Sequence, residues 1–526
     1  MTQRQLLFKS WVPEWLIKVA ILMVLLPSFG LFGLSIINVG AAAGYYGIEP
    51  ADVQYSMVIL YAAVASFFAL EKRFSNFIAS RHYLLWGTIL QIATSYLCYF
   101  IHNLPLLFIC RFLQGLALSA SVSICMTLIF NRLDSERSRE IGYSVFYGVL
   151  LCATPFTSLV TAPITDAFDY NALYKWLIFM FPPGTLLLFT MMRNIRLNRK
   201  IPLYQVDWPS FVIYGLLLCI LGYVLVYGQS RYWLQDKRIL LSCLAALALF
   251  TLHVLRQINL RRPYLSLRVF KYRNFRLGTF YLFILYLCRG ALNITTTYFA
   301  IVLKLDPIHI AYLLLANILG IIGGAVVSSR LILVKGPTRL VWMAGLTILL
   351  IFHIWMRLLF TSQANVSVYI LPLIAQGLGI GLLMAPIVVF MVSSVPASLG
   401  GTASATGIFF RFLGFCTSFA LINYFSLFRL SQHYDRFLQS LTALDPGMLQ
   451  RTLAYRQALI VKGMVTDQAA IVATSLLKSS VNVQVQLRYM IDYYEMMSWL
   501  ILGVILFIAP YPYFKRTVMH LQNPPS

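Results

Sequence analysis

Residues 104–130 read LPLLFICRFLQGLALSASVSICMTLIF, an apolar run broken by one charged side chain, Arg111. A helix needs about 20 apolar residues to cross the roughly 30 Å hydrocarbon layer of a bilayer, and this run is long enough. An arginine inside a span costs about 2.5–3.5 kcal/mol on insertion scales, which makes it a suspect for function. Arg111 and Gln114 are three apart and share a helix face.

Thirteen more apolar runs flank this one. They lie near 17–42, 51–70, 83–101, 141–164, 171–192, 208–227, 238–255, 277–301, 309–329, 339–360, 366–392, 403–427 and 493–514. The chain of 526 residues is 60% hydrophobic and 11% charged, whereas soluble domains are about 45–50% apolar and about 25% charged. One soluble core could not hide that much apolar surface. The expectation is an all-α integral membrane protein of about fourteen transmembrane helices.

Basic residues orient the spans. With the N-terminus in the cytoplasm, the inside flanks collect 25 Lys and Arg, seven of them between Arg256 and Arg276, while the short outside loops hold Arg231, Lys237, Arg238 and Lys304. Such a bias marks the cytoplasmic side. An even span count then places both termini in the cytoplasm of a cell (inner) membrane. The net charge of +24 alternates with apolar spans instead of clustering on one domain, so it is a topology signal and not a nucleic-acid surface.

Other chemistries find no footing. All eight cysteines lie in apolar spans without a C-x-x-C pair, which reads as packing. The first run is too long for a cleaved signal peptide and lacks a small-residue cleavage site. No phosphate-cradling Gly loop, metal-ligand spacing or nucleophile–base set is recognisable, so neither ATP, a metal, a cofactor nor an enzyme activity is expected. Residues 428–491 are long and polar, with periodic apolar positions such as Leu449, Leu453 and Ile471. They read as one or two amphipathic helices in an extracytoplasmic loop.

In order and spacing, four strings resemble the major facilitator superfamily, in particular its fourteen-helix drug:proton antiporter branch. They are Arg111-Phe-Leu-Gln114-Gly115, Asp207-Trp208, Asn274-Phe-Arg-Leu-Gly278, and the long loop with Gln432-His433 and Gln468-Ala469. The resemblance implies two six-helix bundles, 1–200 and 263–526, around an extra central helix pair at 201–262. It also implies alternating access, proton-driven efflux of drug-like or amphipathic compounds, and no cofactor. Branch members in double-membraned bacteria often work with a periplasmic adaptor protein and an outer-membrane channel, for which loop 428–491 is a candidate docking surface.

Departures from the pattern bear on mechanism. The helix 1 motif L-D-x-T-I-V-N-V is matched by Phe32 to Val39, with Gly33 where the family has its proton-linked acid and Asn38 at the motif's Asn. The gating loop between helices 2 and 3 aligns Lys72 with the motif's Gly and Asn76 with its Asp. Arg73 and Arg81 supply basic charge there. The helix 5 antiporter motif is reduced to Gly148 and Thr154-Pro155.

Inside the spans the deep ionisable groups are Arg111, Arg289, Arg357, His353 and Arg411, with no Asp or Glu near a helix centre. Arg111 and Gln114 are candidates for substrate or proton linkage through the resemblance, or else fasten helix ends. Arg289 heads a stripe with Asn293 and Thr296, suited to an anionic group or to a buried network between helices. Arg411, between Gly407 and Gly414, divides evenly between substrate contact and packing. His353 is a conceivable proton carrier, though a lone histidine in a span is more often structural. Tyr61 aligns with a family tyrosine and is a candidate cavity residue. Two rivals stand beside proton-driven drug efflux: a transporter of anionic or amphipathic solutes, and a non-transporting membrane scaffold or sensor that keeps the fold.

Overall fold

The computed structural model describes residues 8–132, 138–194, 206–333, 338–441 and 445–509. Within them the chain is helical, and the sole strand-like feature is an isolated bridge between Phe8 and Met192.

The first half contains α1 (Glu14–Ile37), the short α2 (Val39–Tyr46), α3 (Pro50–Phe77), α4 (Ser80–Phe100), α5 (Leu104–Arg132), α6 (Ser138–Ala167) and α7 (Ala172–Met191). The extra pair is α8 (Trp208–Tyr227) and α9 (Lys237–Asn259). The second half contains α10 (Arg273–Arg289), α11 (Ala291–Ile301), α12 (Pro307–Leu333), α13 (Thr338–Leu359), α14 (Ile370–Ser393) and α15 (Gly400–Asn423). A π-helical turn, Tyr424–Arg429, then leads into α16 (Leu430–Ser440), α17 (Pro446–Val461) and α18 (Thr466–Ile508).

Thirteen of the helical stretches are long and apolar enough to cross a bilayer. α4 makes the fourteenth at 21 residues, its apolar character diluted by Thr88, Gln91, Thr94 and Ser95, all of which it buries. The expected count therefore holds, in a multi-pass membrane protein.

Two seams join the halves: α6 packs on α12, and α3 packs on α15. Close approach inside the second half depends on small residues. A Cβ on Gly377 of α14 would lie 2.8 Å from the Ile321 nitrogen of α12, so only glycine lets these backbones touch. The extra pair is clasped at its start by Asp207, which caps α8 through the Ser210 amide at 3.3 Å and pairs with Arg256 of α9 at 2.8 Å. Burial pulls the Asp207 carboxyl upward, but the hydrogen bonds from Ser210 and Arg256 outweigh it and hold the group below the usual carboxylate range. α8 packs on α3 and α15, whereas α9 buries only Ile239, His253 and Gln257.

Three sequence expectations need correction. The stretch read as a gating loop after residue 70 is mostly helix: α3 continues to Phe77, so Lys72, Arg73 and Asn76 sit on its last turns and only Ile78 and Ala79 separate it from α4. The continuation is held by packing, because Phe74 lies tilted against Phe67 and meets Trp208 edge-on while Glu71 and Asn76 turn inward. Residues 428–491 do not form one loop before a short last span; α18 runs unbroken for 43 residues from Thr466. Arg357 is not a deep charge, since it lies near the end of α13, partly exposed, and pairs with Glu495 of α18 at 3.2 Å. Several basic residues used for orientation, among them Arg4, Arg196, Lys335, Lys515 and Arg516, lie outside the described residues.

Candidate functional site

Between the halves lies a cavity with about 1630 Å³ of atom-free space, counted out to its open mouth. Its wall draws on α1, α3, α5 and α6 from the first half and α10, α11, α12, α14 and α15 from the second. The apolar part mixes aliphatic side chains with aromatic ones, among them Phe29, Phe32, Phe68, Phe146 and Phe415.

Two guanidiniums break that apolar wall, Arg289 and Arg411, and among the described residues no Asp or Glu lines it. Tyr286 organises both. The Arg289 guanidinium lies 5.2 Å from the centre of its ring, while its hydroxyl stands close to Arg411 and Tyr61. From the other half, Tyr147 of α6 completes the cluster, with Arg411 5.4 Å from its ring centre. These positively charged groups are thus held by phenol oxygens and ring faces, which are weaker partners than a carboxylate. Among the described residues neither arginine forms an ion pair. Their charge remains available to an anion, and a buried charge in apolar surroundings attracts one strongly.

Local sequence explains the placement. α10 stops at Arg289 and α11 begins at Ala291, with Gly290 between them. A Cβ on Gly290 would lie 2.7 Å from the Ser418 Cβ, so glycine allows the broken helix to press on α15 and aims Arg289 and Asn293 into the cavity. Interrupted helices at mid-membrane sites are a recurrent transporter device. Asn317 and Gln376, hydrogen-bonded to each other, add a polar patch to the same wall.

Of the residues singled out in the sequence, Tyr61, Arg289, Asn293 and Arg411 meet at this cavity. Arg111 and Gln114 do not line it. Arg111 is 1% exposed and donates to Gln114 at 3.1 Å, to Ser35 at 2.6 Å and to Tyr174 at 2.6 Å, which ties α5 to α1 and α7. Asn38, at the break between α1 and α2, donates to the Leu34 carbonyl and to Thr161. His353 is buried, donates from Nδ1 to the Leu349 carbonyl at 2.7 Å and packs on Tyr494, away from the cavity. Arg81 lays its guanidinium 3.7 Å from the Phe189 ring centre.

Sequence reading missed Tyr286 and Tyr147, which no spacing separates from the other tyrosines. It also missed Glu71, taken as a span boundary. The structure buries this carboxyl to 5% exposure.

The family described as Major Facilitator Superfamily matches residues 20–419. The chain belongs to that superfamily. Its relatives include a Multidrug export protein EmrB of Haemophilus influenzae, 21% identical over 391 residues and covering 72% of each chain. Another is a Probable multidrug resistance protein EmrY of Escherichia coli, 23% identical over 70% of this chain and 71% of that protein. Among solved structures, a POT family transporter in complex with a thioalcohol-conjugated peptide aligns over 94% of this chain and 96% of its own with a TM-score of 0.59 at 14% identity. The human organic anion transporter MFSD10 (TETRAN) aligns over 79% and 95% with a TM-score of 0.51 at 12% identity. At such identities the structural likeness speaks for the major facilitator fold alone.

Proposed function

We propose that this superfamily member is a secondary transporter that exports amphipathic small molecules carrying a negative charge. The observation that carries the proposal is the cavity wall: aromatic and aliphatic over most of its area, with the Arg289 and Arg411 guanidiniums and no carboxylate. The apolar body of a substrate would pack on the phenylalanines while its anionic end takes a bidentate contact from a guanidinium. Rocking of two halves about such a midplane site gives alternating access. In this reading the bundles are 1–200 and 263–526 with the pair 201–262 between them, in an inner membrane with both termini cytoplasmic. The name of the EmrB relative, a multidrug export protein, supports export as the direction.

Proton-driven efflux of drug-like compounds is the second reading, favoured by the same relatives and by the aromatic lining. Purified protein in proteoliposomes separates the two, with taurocholate as the anionic amphiphile and tetraphenylphosphonium as the cation, each with and without a pH gradient. Taurocholate flux that saturates supports the proposal. Gradient-dependent tetraphenylphosphonium flux with no taurocholate flux would sink it. Protein that carries neither, with Arg289→Ala and Arg411→Ala without phenotype in cells, would favour a scaffold or sensor. An adaptor and outer-membrane channel at 428–491 belong to the same proposal, and co-purification of an adaptor that survives deletion within 446–461 would remove them.

A further inference from the structure

Glu71 is the carboxyl that the cavity lacks, placed elsewhere. It sits on the penultimate turns of α3, 5% exposed, and faces α4 and α5. Ser75 on its own helix and Ser123 on α5 stand beside it, Ser75 giving its hydroxyl to the Lys72 carbonyl, and among the described residues its Oε1 has no hydrogen-bond partner. Next to it, at the start of α4, Ser80 (1% exposed) and Tyr83 (6% exposed) also hold hydroxyl oxygens without partners. The titratable and charged groups that act on Glu71, among the described residues, are Tyr83 from α4 and Lys72 on α3, while α5 contributes the neutral Ser123. Among the described residues Glu71 forms no ion pair.

An ionised carboxylate buried beside hydroxyls and without a cationic partner in contact is costly, and such a group relieves the cost by taking a proton. When the surrounding helices part and water enters, the ionised form becomes the cheaper one. A carboxyl in this setting therefore changes protonation with the conformation of the helices that bury it, which is what coupling a proton to transport requires. The cavity wall offers no Asp or Glu for that purpose, and helix 1 has Gly33 at the position where the antiporter branch has its acid.

We propose that Glu71 is the proton-linked group of this transporter, holding one proton where it is buried and giving it off when the alternate conformation admits water to it. The proposal rests on the chain being a transporter, but part of its test does not. Infrared spectra of the purified protein in lipid, wild type minus Glu71→Gln, are expected to show the C=O stretch of a protonated carboxyl at neutral pH that vanishes at alkaline pH. No such band at any pH would overturn the proposal. In proteoliposomes the wild type is expected to carry taurocholate faster under a pH gradient. In Glu71→Gln the ratio of flux with and without the gradient should fall to about one while ungraded exchange persists, and Glu71→Asp should retain a response. A gradient response in Glu71→Gln equal to the wild type, or wild-type flux indifferent to the gradient, would overturn the assignment and leave the transporter reading standing. Absence of flux of either probe in the wild type would overturn the transporter reading instead, and the infrared band would still decide whether Glu71 holds a proton.

Discussion

A Cβ built on Gly33 would lie 2.9 Å from the Thr157 hydroxyl oxygen and 3.2 Å from its Cβ. The threonine has little freedom to yield, because its hydroxyl donates to the Ala153 carbonyl at 2.7 Å. α1 and α6 thus meet at the position where the antiporter branch carries its acid. The acid is not merely missing; its space is occupied by the neighbouring helix.

Gly33→Asp is therefore expected to harm folding instead of restoring proton coupling. Overpacking costs about 1–3 kcal/mol, and an uncompensated carboxylate adds to it. Thermal unfolding of the purified protein should show the loss, and Gly33→Asp combined with Thr157→Gly should regain most of it. A single Gly33→Asp variant as stable as the wild type would contradict the close packing.

Arg289→Gln and Arg411→Gln are each expected to weaken taurocholate binding about tenfold or more, equivalent to at least 1.4 kcal/mol. Tetraphenylphosphonium binding should be unchanged or improved. Calorimetric titration of the two probes reads both effects. Equal weakening for the anion and the cation would mean that the arginines support the cavity's shape and not its charge.

For Arg111→Ala the expectation is opposite in kind. Its truncation takes one partner each from Ser35, Tyr174 and Gln114 in a buried site, and losing such a network costs about 3 kcal/mol or more. Melting temperature and yield should fall, while probe affinity per folded molecule stays near the wild type. A normal melting temperature with abolished binding would move Arg111 into the substrate path.

Asp207→Ala should loosen the start of the extra pair by about 1 kcal/mol, the usual worth of a helix cap. Because the folded state lowers this carboxyl, its contribution is present above the ordinary carboxylate range and fades only as pH drops through the depressed value. Hydrogen-exchange protection at the first turn of α8, taken relative to the intrinsic rate at each pH, should thus be flat from neutral to mildly acidic pH in the wild type. It should be lower in Asp207→Ala throughout.

The spans were legible because bilayer thickness imposes one length on all of them, and the family's strings stand at fixed places within them. What hydropathy could not give was where a helix stops once its sequence turns polar. At Glu71-Lys72-Arg73 the apolar window ends, yet the helix goes on, since inward-facing Glu71 and Asn76 are balanced by Phe74 on the far side. The same blindness put the start of the last helix at 493 instead of Thr466. At the site, periodicity placed Arg111 and Gln114 on one face but could not say that Ser35 and Tyr174 wait there. Tyr286 is one of 31 tyrosines, and only the fold shows it between two guanidiniums.

The unbroken α18 has a mechanical meaning. At 1.5 Å per residue its 43 residues make a rod of about 65 Å, more than twice the hydrocarbon thickness. Its inner portion is bound to α13 and its outer portion to α16 and α17. A tilt of about 5° at the membrane end would swing the far tip by roughly 5 Å. Any tilt of its membrane portion would in this way be magnified into a larger displacement at the far tip, as a needle magnifies the movement of a gauge.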